Sequence, residues 1–229
     1  MMPYQQEYCG LGIISEEYGG YDEGPIRRFD PEYSYPHCDI PDHQLITYNP
    51  SKGISQLRII SPRTGAIVRD NSTAVIHIDG ACRGNGTPYA RGAWGVYCGP
   101  RSPFNSHGLL PMIAPQTSGA AEIHALIVAL DMIEYELLPD LSISQIFIVS
   151  DSSYLVQAMS EWMEFWLENG GRNSRGQRVA HWEVLRDQHY RIEDMTYGEG
   201  GGLDFKFWHV PREMNWQADE LANHAFRRQ

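Results

Sequence analysis

The run Ala74-Val-Ile-His-Ile78 is almost wholly apolar, ends on Asp79, and is followed by glycine at 80, 84 and 86. A short apolar stretch closed by glycines predicts a buried strand breaking into a tight turn, with a carboxylate at the mouth of the sheet. Two further strand-like stretches follow, Gly92–Cys98 and Ser106–Leu110, which predict an antiparallel meander. Apolar residues then switch to a helical period over Ser118–Glu136, capped by Thr117 or Ser118 and stopped by Pro139. Ser144–Ser150 is apolar on both parities, the pattern of a parallel strand covered on each face. Short helices are predicted at Ser152–Ser160 and Glu161–Glu168, a loop at 169–178 and a helix at Ala180–Glu193. A glycine-rich turn at 198–202, a strand at Leu203–Val210 and a last helix at Asn215–Arg227 complete the chain.

Three antiparallel strands followed by alternating helices and strands predict an α/β fold: a mixed sheet with helices on both faces. This regular part covers 74–229. Residues 44–73 read as a connecting segment with two strand-like pieces, Gln44–Tyr48 and Leu57–Ile60, and a turn at Pro62–Gly65. Residues 1–43 have neither period, are rich in Tyr, Gly, Pro and acids, and are expected to be largely extended or disordered.

Composition changes this picture in two ways. No apolar run reaches membrane-spanning length and no charged-then-apolar leader opens the chain, so an intracellular protein without a membrane partner is expected, cytoplasmic or nuclear rather than mitochondrial, and monomeric. Cys9, Cys38, Cys82 and Cys98 show no paired spacing and are expected to be free thiols. The net charge of −11 argues against a polyanionic partner until it is localised. Residues 1–43 set nine acids against Arg27 and Arg28, a balance of −7, which leaves −4 for the rest. The tail would shield a cleft or bind a protein, a choice the sequence leaves open.

Four acids carry the candidate chemistry. Glu122 shares a helical stripe with Leu126, Ala129 and Ile133, which turns it toward the sheet. Buried there, its charge costs several kcal/mol unless paired. Asp151 closes the apolar strand, where α/β sheets form their ligand crevice. Asp219 stands near the start of the final helix. Each has a plain alternative: a solvated stripe edge, a helix N-cap, a first-turn acid. Together with Asp79 they would converge on one edge, and their mutual repulsion calls for a hard cation such as Mg²⁺ or Mn²⁺.

These residues resemble ribonuclease H of type 1. The likeness rests on Ile78-Asp79-Gly80 through Gly86, on Gln116–Glu122, on Val149-Ser-Asp151-Ser152-Ser-Tyr154 and on His209–Ala222, in the family's order and spacing. It implies a five-stranded sheet, two bound Mg²⁺ ions (Mn²⁺ being the other choice) held by Asp79, Glu122, Asp151 and Asp219, and cleavage of RNA in RNA–DNA hybrids to 5′-phosphate products. It further implies that His209, on a loop past the last strand, assists proton movement and product release, and that Asn215 steadies that loop. Gly80, Cys82 and Asn85 match a turn that approaches the RNA strand, and Gln157 matches a minor-groove contact.

The match is incomplete in places. Ser118-Gly119 stands where an asparagine pair is frequent, and Ser153 replaces a frequent glutamine. Trp162 and Trp166 match an aromatic pair for the DNA strand, but Glu164, Glu168 and Gly170-Gly171 stand where lysines are usual. Weak, salt-sensitive binding is the expectation. Two readings stay open beside the hybrid nuclease: a catalytically weak binding or scaffold domain, and a nuclease of this fold for another nucleic acid such as double-stranded RNA.

Overall fold

The computed structural model describes residues 27–227. The chain is organised around strand β5 (Thr73–Arg83), the longest of nine strands among these residues. β5 pairs antiparallel with β6 (Arg91–Tyr97), which pairs antiparallel with β7 (Ser106–Leu109). On its other edge β5 runs parallel to β8 (Gln145–Ser150), and β8 runs parallel to β9 (Asp204–His209). These five strands are the expected mixed sheet, three antiparallel and then parallel.

Four more strands correct the strand count, and all lie in the part of the sequence without clear period. β1 (Arg28–Phe29) adds to the free edge of β9 in parallel. β2 (Ile46–Asn49) and β3 (Ile54–Ile60) form a hairpin, and β3 meets β5 at Ser55–Val75 beyond the end of β6. β4 (Ile67–Arg69) folds back on β3 through a turn at Thr64-Gly65. A single helical turn, α1 (Asp42–Leu45), takes the first two residues expected of the strand Gln44–Tyr48.

The pleat sorts the core by parity. Ile76 and Ile78 of β5, Ile146 and Ile148 of β8, and Phe205 and Phe207 of β9 face one side. There α2 (Ser118–Met132) and α5 (Trp182–Tyr197) cover them, α2 through Ala121, Ala125, Leu126, Ala129 and Leu130. The stripe carrying Leu126, Ala129 and Ile133 is fully buried, as its spacing predicts. Regular helix stops at Met132 and a wider π-helical turn, Ile133–Leu137, delivers the chain to Pro139. α5 starts and ends later than expected, after His181 in a left-handed conformation. The short helices α3 (Ser153–Gln157) and α4 (Met163–Glu168) are joined by a second π-helical turn. No helix among the described residues is long and apolar enough to cross a membrane.

The other face carries Val75, Phe147, Val149 and Trp208, and α6 (Trp216–His224) covers only its β5–β7 end. Phe29, Ile40, Leu45 and Leu57 cover the rest. Phe29 stands edge-on to Phe147 and Trp208 at ring separations of 4.7 and 5.3 Å. Arg27 is buried against His189 and Glu193 of α5. Residues 27–43 are therefore part of the folded unit, not the extended tail expected of 1–43, whose residues 1–26 lie outside those described. Likewise 44–73 is sheet rather than connector. Phe29→Ala is expected to cost about 3–5 kcal/mol, the usual loss for a buried aromatic, and urea denaturation measures it. A chain beginning at Ile46 should lose cooperative unfolding altogether.

Candidate functional site

The four acids come from four separate elements and line one pocket of about 340 Å³. Asp79 is in β5 opposite Gly95 of β6. Glu122 is in the first turns of α2, Asp151 follows the last residue of β8, and Asp219 is in α6. Two glycines make this convergence possible. A Cβ on Gly80 would stand 2.1 Å from the Glu122 backbone nitrogen, so α2 touches β5 directly there. A Cβ on Gly95 would stand 2.4 Å from the Ala218 carbonyl oxygen, so α6 touches β6 from the opposite face. Each contact brings its helix's acid to the edge where Asp79 lies. Gly80 thus serves helix packing, beside the approach to a nucleic-acid strand that the family likeness implies for it.

The electrostatics follow from that crowding. Asp79 is 7% exposed, and burial first, then the charges of Asp151, Asp219 and Glu122, push its carboxyl up to about 7. Burial also raises Glu122, opposed by the Ser152 hydroxyl, which donates to its Oε2. The Asn223 amide and Arg212 Nη2 donate to Asp219, at 3.2 and 2.7 Å. Among the described residues no three of His, Cys, Asp or Glu are drawn close enough to enclose an ion as they stand. The donor set nonetheless suits hard divalent cations: four oxygen acids and no competing thiolate–imidazole cluster.

Behind the pocket wall Asn215 is fully buried and uses its whole amide. Nδ2 donates to the Ile78 carbonyl at 3.0 Å and to Asp151 Oδ1 at 2.9 Å. Both partners are acceptors, which orients the amide and leaves its oxygen to accept from His77 Nδ1 at 3.2 Å. His77 therefore holds the residue that holds Asp151. Outer partners of metal-binding carboxylates are typically worth 10–100-fold in metal affinity or activity. His77→Phe is expected to weaken divalent-ion activation about tenfold, with no further loss in an Asn215→Ala background. Titrating activity with Mg²⁺ in the single and double variants checks this.

Of the other sequence-predicted residues, Gly80, Cys82 and Ser118 line the same pocket. Cys82 is half-buried and donates to the Gln116 carbonyl. Asn85 reaches Ser118 Oγ at 3.4 Å across the rim. Ser153 is exposed at the start of α3, and Gln157 is half-buried at its end; neither lines the pocket. Trp166 is buried, and with Tyr154, Trp162, Phe165 and Arg178 it walls a separate apolar groove of about 680 Å³. Arg178 is itself ion-paired with Glu183.

His209 departs from expectation. It is the last residue of β9, paired with Ser150, and not on a loop beyond the strand. It lines a different depression, with Arg28, Asp30, Glu32 and Asp42. The strand simply runs on, because Trp208 and Val210 are both buried and pull His209 into register. Residues the sequence reading missed are Ser152, Arg212 and Asn223, all on the pocket wall. Their only signal was position: Ser152 follows Asp151, Arg212 stands between His209 and Asn215, and Asn223 is one helical turn after Asp219.

Residues 71–227 match the family model for RNase H. The chain belongs to the RNase H family. Its relatives include ribonuclease H1 of Rattus norvegicus, 29% identical over 155 residues, covering 68% of this chain and 49% of that protein. Ribonuclease H of Paracidovorax citrulli (strain AAC00-1) is 31% identical over 151 residues, covering 65% of this chain and 91% of that protein. The RNase H chain thus spans about half the length of the mammalian relatives it matches and nearly all of the bacterial one. Among solved structures, LC11-RNase H1 isolated from compost aligns with a TM-score of 0.48 at 23% identity, over 67% of this chain and 94% of that one.

Proposed function

We propose that this chain is a metal-dependent endoribonuclease that hydrolyses the RNA strand of RNA–DNA hybrids. The carrying observation is the pocket in which Asp79, Glu122, Asp151 and Asp219 meet, inside the stretch that matches the RNase H family. Relatives named ribonuclease H support the substrate class.

The four carboxylates would hold two divalent ions, Mg²⁺ or Mn²⁺. When bound, such ions supply Lewis-acid activation of the attacking water and of the leaving 3′ oxygen, which leaves a 5′ phosphate. The chain's own residues prepare for this. Asn215 and His77 hold Asp151 at one angle, Ser152 fixes a Glu122 oxygen, and Gly80 and Gly95 hold the helices in place. The rim formed by Asn85 and Ser118 presents amide and hydroxyl groups where a strand would lie, suited to reading a 2′-hydroxyl.

The test is cleavage of a labelled hybrid with Mg²⁺ or Mn²⁺, beside single-stranded RNA, double-stranded RNA and DNA duplex, with Asp151→Asn as control. RNA-strand cleavage of the hybrid, lost in the control, supports the reading. Preference for double-stranded RNA, or no cleavage at all, overturns it.

A further inference from the structure

The mouth of the carboxylate pocket carries an unexplained pair. Trp216, the first residue of α6, is 56% exposed, and the Arg212 side chain beside it is 75% exposed. With Glu213 and Asp219 they line a depression of about 360 Å³. Arg212 and Asp219 also line the carboxylate pocket, so the two depressions adjoin.

Packing does not account for the tryptophan. The inward stripe of α6 is Ala218 and Ala222, kept small by the contact with Gly95, and Trp216 falls outside it. Its backbone is nonetheless held rigidly, because the preceding Asn215 is bonded to Ile78, Asp151 and His77. An indole on so fixed a base, open to solvent beside a guanidinium, has the form of a stacking platform with a phosphate contact. Arg212 now donates to Asp219 Oδ1 at 2.7 Å. Once cations neutralise that carboxylate, the guanidinium is free to turn outward. Glu213 borders the depression as well, so the attraction for a phosphate is local to Arg212.

We infer that Arg212 and Trp216 form a nucleotide subsite for the strand being cut, with a backbone phosphate on the guanidinium and a base or ribose on the indole. The inference rests on the proposed function, since it takes the strand at the carboxylates to be the substrate. The subsite lies on α6 and the turn before it, apart from the apolar groove of Tyr154, Trp162 and Trp166.

The experiment uses the full chain and a fluorescein-labelled hybrid, with affinity measured by anisotropy across a salt series and KM and kcat measured with Mg²⁺. Trp216→Ala is expected to weaken binding about tenfold, the usual worth of one stacked base, while Trp216→Phe stays within about threefold of wild type. Arg212→Ala should weaken binding and make the plot of log affinity against log salt shallower by about 1. Both should raise KM more than they lower kcat, and Trp216→Ala should leave the thermal midpoint unchanged because the residue is largely exposed. If wild type binds and cuts the hybrid but Trp216→Ala and Arg212→Ala stay within twofold of it at every salt, the subsite is wrong and the proposed function stands. If wild type binds no hybrid, the proposed function fails and the subsite with it.

Discussion

Asp79→Asn is expected to cripple hydrolysis and, without added metal, to stabilise the fold at pH 8. Asp79 is buried beside Asp151, Asp219 and Glu122, which together push its carboxyl up to about 7. The folded chain therefore binds this proton more tightly than the unfolded chain. The stability it contributes is complete below the ordinary carboxylate value near 4, is lost as pH rises through about 7, and remains lost above it. An amide of the same shape escapes that penalty. The expected result is a thermal midpoint at pH 8 in EDTA at least about 3 °C above wild type, converging with wild type near pH 4. Saturating Mg²⁺ should reverse the order, because ions that bind only the folded state stabilise it by mass action and the variant lacks a ligand. Hydrolysis should fall on the order of 10³-fold, the scale of losing a central electrostatic contact. Wild-type activity should rise between pH 6 and 8, since a ligand must be deprotonated to bind. A lower midpoint for Asp79→Asn in EDTA at pH 8 would mean the carboxylate is satisfied rather than crowded.

What the sequence revealed and what it hid follow one physical distinction. Strand and helix periods are local, so β5, α2 and β8 were legible, as was the side of α2 on which Glu122 stands. The four acids were legible because each sits in a motif of the family, Asp151 follows a strand, and Glu122 and Asp219 lie in the opening turns of their helices. Asp79 was expected to end its strand, whereas β5 runs on past it to Arg83. The N-terminal segment was not. β1 is two residues long, too short to show a period, and its cover of Phe147 and Trp208 depends on contacts more than a hundred residues away in sequence. The strand period over Leu203–Val210 placed His209 correctly, in register with Ser150, and it was the family likeness that put it on a loop. Gly80 was legible as a close approach, but not as an approach of a helix. His77 left a trace, a polar residue inside an apolar strand, that has meaning only once Asn215 lies beside it.

Gly80→Ala tests whether the site depends on that helix contact. The added methyl would meet the Glu122 backbone nitrogen at 2.1 Å, the Ala121 carbonyl carbon at 2.4 Å and the Glu122 Cα at 2.7 Å. These are backbone atoms that no rotamer change can move, so the start of α2 must retreat and take Glu122 with it. The contacts of that helix end would go too, among them Asn85 with Ser118 and Cys82 with Gln116. Overpacking of this kind costs about 1–3 kcal/mol, and a misplacement near 1 Å costs about 10²-fold in rate. Gly95→Ala should act alike through α6 and Asp219, its methyl meeting Ala218 and Ala222 backbone atoms at 2.4 and 2.6 Å. Gly65→Ala supplies the contrast: its φ of +67° strains alanine, but no atom lies within 4 Å of the new methyl. It should lose about 1 kcal/mol of stability and keep full activity. Hybrid cleavage and urea midpoints for the three variants decide the matter. Equal activity in all three would show that Glu122 and Asp219 reach the pocket without the bare backbone contacts of Gly80 and Gly95.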